Sequence, residues 1–165
     1  MRMPFSSKMP FSSKESQSFR SELVAALPRL RRFAIRLAGS ADDGDDVLQS
    51  ALQRALERPE QFQPGTSVLS WMFRIVYTVN SNTLRKRRGL PVRPIDPIAE
   101  EIPGVDGERS IIARIALRQT LDSFDKLPLA QREVLLLVCV EEMSYQETAA
   151  ILGIPVGTVM SRLAR

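Results

Sequence analysis

A chain of 165 residues, 44% of them apolar, has the length for one domain or two small ones and enough apolar material for packed cores, which excludes a wholly disordered protein. Its formal charge of +4 and pI near 9.7 favour an anionic partner, without separating nucleic acid from a membrane surface. One cysteine and no histidine exclude a disulfide, the usual zinc ligand sets and any histidine-based catalytic triad, so no metal, cofactor or catalytic residue is expected. No apolar run approaches the ~18 residues that cross a bilayer, and the N-terminus lacks the apolar core of a secretory signal. A cytoplasmic protein without membrane insertion is therefore expected.

The chain opens with the hexapeptide Met-Pro-Phe-Ser-Ser-Lys, written twice over residues 3–14. Residues 1–19 read as a disordered leader and receive no function. Over residues 21–37, Leu23, Leu27, Leu30, Ala34 and Leu37 recur at helical spacing with Arg29, Arg31, Arg32 and Arg36 between them, and Pro28 is expected to restart or kink the helix. Ser40 caps a second helix whose first turns hold Asp42, Asp43, Asp45 and Asp46. Carboxylates complement the positive helix end, but four exceed that need. Leu48, Leu52 and Ala55 line the buried side and Pro59 ends the element. The acids and Gln49 then form either a solvated face or a docking surface for a basic partner.

A third helix is predicted over 67–88, after the turn Gln63-Pro64-Gly65-Thr66. Leu69, Met72, Val76 and Val79 form its core stripe, widened by Trp71, Phe73 and Ile75, while Arg74, Thr78, Ser81, Asn82 and Arg85 make the polar side. Its end, Arg85-Lys86-Arg87-Arg88, has more cations than the helix terminus requires and suits phosphates. Tyr77, Asn80 and Asn82 nearby suit stacking on, or hydrogen bonding to, unpaired bases. A solvated helix end is the blander account of the same residues.

Residues 89–109 read as a linker, because 89–108 holds four prolines and three glycines with no sustained apolar period, and five acids without a base from Pro94 to Glu108. Helices resume over 110–125 with Ile111, Ile115, Leu121 and Phe124, and over 128–142, where the polar start Gln131-Arg132-Glu133 favours a helix over a buried strand. Cys139, inside the apolar run 134–140, is expected to be a small buried residue. Next, Ser144 and Glu147 stand at capping-box spacing, Ala149, Ala150 and Leu152 give a packable face, Gly153 suits a left-handed helix end and Pro155 suits the start of another. Two short helices across a glycine turn make a helix-turn-helix, whose second helix enters the DNA major groove. Thr158, Ser161, Arg162 and Arg165 occupy its first turns, with hydroxyls and guanidinium groups suited to bases or phosphates.

Three segments, in order and spacing, resemble the extracytoplasmic-function (ECF) group of bacterial sigma factors: Asp43-Gly44-Asp45-Asp46-Val47-Leu48-Gln49, then Trp71-Met72-Phe73 through Arg88, then Ser144 through Leu163. The turn Phe62-Gln63-Pro64-Gly65-Thr66 is similar to the branch that runs the general stress response in alphaproteobacteria. The resemblance implies an all-α fold of two small domains, sigma region 2 over 20–88 and sigma region 4 over 110–165, joined by the acidic linker. It implies that Asp43, Asp46 and Gln49 dock on the clamp helices of core RNA polymerase. Tyr77, Asn80, Asn82, Arg85, Lys86, Arg87 and Arg88 would face the downstream promoter element and its melted nontemplate strand. Ser144, Thr158, Val159, Ser161, Arg162 and Arg165 would bind the upstream element as duplex, and the linker would pass near the active centre and along the RNA exit path.

Two weak DNA-reading modules on one polymerase gain affinity through effective concentration, and an anti-sigma factor is a further implied partner. Such a protein makes and breaks no bond. The chain departs from the family pattern at Tyr77-Thr78, where Arg-Asn is common, at Met160, where lysine is common, and at Ser50, where glutamate is frequent. Arg165 ends the recognition helix after about three turns, with no glycine or proline terminator. An alternative role is a sigma-like decoy that binds an anti-sigma factor without directing transcription, and a third is a plain repressor or activator using the same hairpin.

Overall fold

The computed structural model describes residues 13–90 and 127–164, all helix, turn or loop, with no strand among them. The chain divides into two compact units, residues 1–101 and 102–165. Most of the linker, the helix expected over 110–125 and nearly all of the repeated hexapeptide lie outside the described residues. No helix among those described is long and apolar enough to cross a membrane.

In the first unit, α1 (Ser13–Ala38), α2 (Ala41–Glu57) and α3 (Val68–Arg87) pack pairwise, and a 3-10 turn (Pro59–Gln61) follows α2. α1 buries Leu23, Leu30, Ala34 and Leu37 of the stripe that its spacing predicts, and Phe33 in addition, while Leu27 stays half-buried. The helix runs unbroken through Pro28. Pro28 and Val24 are both exposed, so the carbonyl that loses its amide partner at Pro28 lies on the side of the helix that water reaches. α1 also begins earlier than expected. Residues 13–19, read from sequence as part of a leader, are its first turns, and Phe19 is buried at 3% exposure. Its ring lies 5.2 Å from Phe62 and 5.9 Å from Trp71, which are 5.4 Å apart. The three rings tie the start of α1 to the loop before α3 and to α3 itself.

Gly39, at φ +88°, ends α1 and Ser40 caps α2, its hydroxyl accepting from the Asp43 amide at 3.1 Å. The short connection forces a close crossing. A Cβ at Gly44 would stand 2.5 Å from Ile35 Cα, so only glycine lets the two backbones pass this tightly. Arg31 of α1 reinforces the crossing with paired bonds to Asp45 at 2.7 and 2.8 Å. α3 starts at the Ser67 cap, after a turn in which the Thr66 amide donates to the Gln63 carbonyl and Gly65 takes φ +88°. It buries Trp71, Met72, Phe73, Ile75, Val76 and Val79.

In the second unit, α4 (Leu129–Leu135) continues into a π-helical segment (Leu136–Val140), whose wider turn is closed by the Glu141 amide donating to the Leu136 carbonyl at 2.9 Å. Val134, Leu136 and Leu137 are buried, but Cys139 is exposed, contrary to the sequence expectation. A helix has one inner face, and seven consecutive apolar residues necessarily occupy both sides of it. Partial burial pushes the Cys139 thiol above its ordinary pKa. Glu142 takes φ +59° as the chain turns toward α5 (Tyr145–Leu152), and α6 (Val156–Leu163) follows. α4, α5 and α6 close around Val134, Leu136, Leu137, Ile151, Leu152 and Val159.

Candidate functional site

The acidic and basic sets meet on the first unit. Asp46 and Gln49 are exposed one turn apart on α2, on one face. Asp43 is half-buried and accepts from Arg87 Nη2 at 2.5 Å, across 44 residues of sequence. The Arg87 guanidinium, then the Ser40 hydroxyl donating at 2.9 Å, hold the Asp43 carboxyl below its usual range. Arg31 does the same for Asp45. Two of the four acids are thus partnered inside the unit, while Asp42 and Asp46 form no ion pair among the described residues. No group of acids and cysteine there is placed to hold a metal ion.

At the other end of this surface Lys86 and Arg88 are exposed, and Tyr77 and Arg85 are half-buried. Lys86 stands at a groove of about 290 Å³ between α2 and α3, with Ser50, Arg54 and Glu57 also lining it. Asn82 borders the same groove, but neither Asn80 nor Asn82 is exposed. They are 2% and 6% exposed, because position 80 is one turn beyond Val76 and position 82 one turn beyond Val79, both on the core face. Asn80 Nδ2 is buried without a hydrogen-bond partner.

On the second unit the helix-turn-helix is built from its caps. Ser144 Oγ accepts from the Glu147 amide at 3.1 Å, and the Ser144 amide donates to Glu147 Oε2 at 2.8 Å. Gly153 ends α5 at φ +65°, and the Ile154 amide donates back to the Ala149 carbonyl at 3.1 Å. Ser144 is half-buried and its oxygen is engaged by the cap. Ser161 is exposed, Thr158 and Arg162 are half-buried, and Arg165 lies outside the described residues. Val159, expected among the DNA-facing residues, has no exposure and anchors α6 in the core.

Two features escaped sequence reading. Glu133 on α4 is 7% exposed, and burial raises its pKa from 4.5 to about 7, with the charge of Arg162 acting in the opposite sense. Val156 and Met160, spaced one turn apart, are exposed on α6. The i, i+4 spacing was visible in the sequence, but only the burial of Val159 identifies which side of α6 faces out.

Two helical units, the second carrying a capped helix-turn-helix, are an architecture suited to binding duplex DNA. Residues 117–165 match the family described as Sigma-70, region 4, and residues 23–77 match the Sigma2 domain of PhyR. The chain is 38% identical over 150 residues to the ECF RNA polymerase sigma factor EcfG of Rhodopseudomonas palustris (strain TIE-1), covering 91% of this chain and 81% of that one. It is 31% identical over 137 residues to the ECF RNA polymerase sigma factor SigM of Mycobacterium tuberculosis (strain ATCC 25618 / H37Rv), covering 83% and 67%. A similar solved structure is the sigma factor RpoE in complex with the anti-sigma factor NepR from Bartonella quintana, with a TM-score of 0.68, 29% identity and coverage of 90% and 91%. The chain belongs to the ECF RNA polymerase sigma factor family. It is a sigma factor: it binds RNA polymerase and promoter DNA, directs transcription initiation and catalyses no reaction itself.

Proposed function

We propose that residues 20–88 act as sigma region 2 and residues 110–165 as sigma region 4, joined by a tether over 89–109, in a cytoplasmic protein. Asp43, Asp46 and Gln49 dock on core polymerase, and Tyr77, Arg85, Lys86, Arg87 and Arg88 meet the downstream promoter element. Ser144, Thr158, Ser161, Arg162 and Arg165 hold the upstream duplex. The observation that carries this division is the juxtaposition on the first unit: the acidic start of α2 and the basic end of α3 share one surface, joined by Asp43 and Arg87. Docking on polymerase through that surface brings the cations to the DNA that the polymerase opens.

An anti-sigma partner and the general-stress branch belong to the same proposal. They are supported by the likeness to RpoE, solved with NepR, and by the Phe62–Thr66 turn. The match of residues 23–77 to the Sigma2 domain of PhyR favours a decoy, as does Tyr77-Thr78 standing where Arg-Asn is common. Run-off transcription with core polymerase, with and without the protein, on a genomic fragment pool from the same cell separates the two. Starts at shared upstream motifs that appear only with the protein support the proposal. Failure to bind core polymerase, with anti-sigma binding kept, would leave the decoy.

A further inference from the structure

We infer that Arg54, on the helix assigned to polymerase docking, joins Lys86 in holding one backbone phosphate of the downstream promoter element, in the groove between α2 and α3. The inference rests on the basic end of α3 meeting that element, and it adds a residue of α2 to the contact. The four cations that close α3 do not form one cluster. With about 3.6 residues per turn, neighbours in sequence point in different directions. Arg85 and Arg88 continue the half-buried stripe of Tyr77 and Ser81, and Arg87 turns to Asp43. Lys86 instead follows Val79 and Asn82 along the groove of about 290 Å³, whose α2 side carries Arg54. Both cations are exposed, and neither forms an ion pair among the described residues.

The acid that shares the groove is already engaged. Glu57 accepts from Gln53 Nε2 at 2.8 Å, and the lining carries two cations against this one carboxylate. Ser50 adds an exposed hydroxyl one turn before Arg54. A glutamate there, frequent in the family, would stand at the i, i+4 spacing and in the order in which an acid pairs best with a following base. The serine leaves Arg54 without that partner. Two cations and a hydroxyl converging on one space match the oxygens of an anion. A DNA phosphate is the anion that promoter binding itself supplies, repeated at every nucleotide of the strand that Lys86 is placed to meet. Asp46 does not line the groove and stands about two turns before Arg54 on α2. In the proposed docking its charge is taken up by polymerase, so it does not oppose the phosphate.

The test uses holoenzyme assembled from core polymerase and the full chain, on a promoter recovered by the run-off experiment. Each phosphate of the downstream element, on either strand, is replaced in turn by a methylphosphonate, which removes the charge and keeps the bases. At one position the replacement should weaken binding about five-fold at physiological salt, the factor that one phosphate contact contributes through counterion release. In holoenzyme carrying Arg54→Gln, the effect at that position alone should shrink to about two-fold, because Lys86 remains. Ser50→Glu, which returns an acid beside Arg54, should shrink it at the same position. If every replacement acts equally on the unaltered protein and on Arg54→Gln, while Arg88→Gln weakens DNA binding, the inference fails and the downstream reading stands. If neither Arg54→Gln nor Arg88→Gln alters DNA binding, both fail. If Arg54→Gln weakens association with core polymerase in the absence of DNA, the groove takes a carboxylate of polymerase and the inference fails.

Discussion

Glu133 shows how a single buried side chain sets the pH response of the second unit. Its folded-state pKa, about 7, lies above its ordinary 4.5 because the carboxylate loses solvation that the charge of Arg162 only partly replaces. The contribution of Glu133 to stability is therefore complete below pH 4.5 and is lost as pH rises through 7. The loss amounts to roughly 3 kcal/mol at most, from the pKa difference at 1.36 kcal/mol per unit. Glu133→Gln should flatten that slope and raise stability at pH 8, as measured by urea unfolding of the full chain across pH 5–8; an unchanged slope would place the titration elsewhere. Glu142 is a second strained point. A non-glycine residue at φ +59° has its Cβ crowded against the backbone, so Glu142→Gly should stabilise the unit by about 0.5–1 kcal/mol despite the greater freedom of the unfolded chain. Thermal unfolding would reveal a loss instead if that backbone were unstrained.

Among the elements, the packing of α1 decides most. Gly44→Ala would press a methyl group into the backbone of α1 at Ile35, and should cost about 1–3 kcal/mol as the helices separate. A neutral result in denaturant titration would mean that the crossing is looser than 2.5 Å implies. Phe19→Ala should cost about 3 kcal/mol, because the ring fills the space between Phe62 and Trp71. Caps and turns were legible in the sequence: the Ser40, Ser67 and Ser144 caps and the Gly153 turn are fixed by neighbours within a few residues. Properties that depend on a helix partner were not. Asn80, Asn82 and Val159 were assigned outward and lie inward, and Cys139 the reverse, because an inner face is set by what packs against it. Phe19 was missed because the polar residues around it hide the start of α1 from a periodicity argument. Gly44 was legible as part of a family motif, but its packing role required Ile35 in place.

At the scale of the whole molecule, the division of labour makes separable demands on the two units. Asp46→Arg should abolish association with core polymerase and leave helical content unchanged; a retained complex in size-exclusion chromatography would remove Asp46 from the docking surface. The groupings by function depend on long-range geometry. Nothing in the local sequence announces that a carboxylate near the start of α2 bonds a guanidinium at the end of α3, although the two segments were each identified as candidate sites.

That Asp43–Arg87 pair bears on how the first unit competes with salt. A protein cation that neutralises a phosphate normally releases a condensed counterion, which is why nucleic-acid affinity falls with ionic strength. If Arg87 meets the strand as proposed, it would arrive already accompanied by a counterion of its own, covalently part of the protein, and would displace fewer salt ions than an unaccompanied arginine. Engagement of Asp43 by polymerase would discharge that internal counterion at the moment of docking. Asp43→Asn should then steepen the ionic-strength dependence of DNA binding by the isolated sigma factor by about one phosphate contact, and leave that of the holoenzyme nearly unchanged.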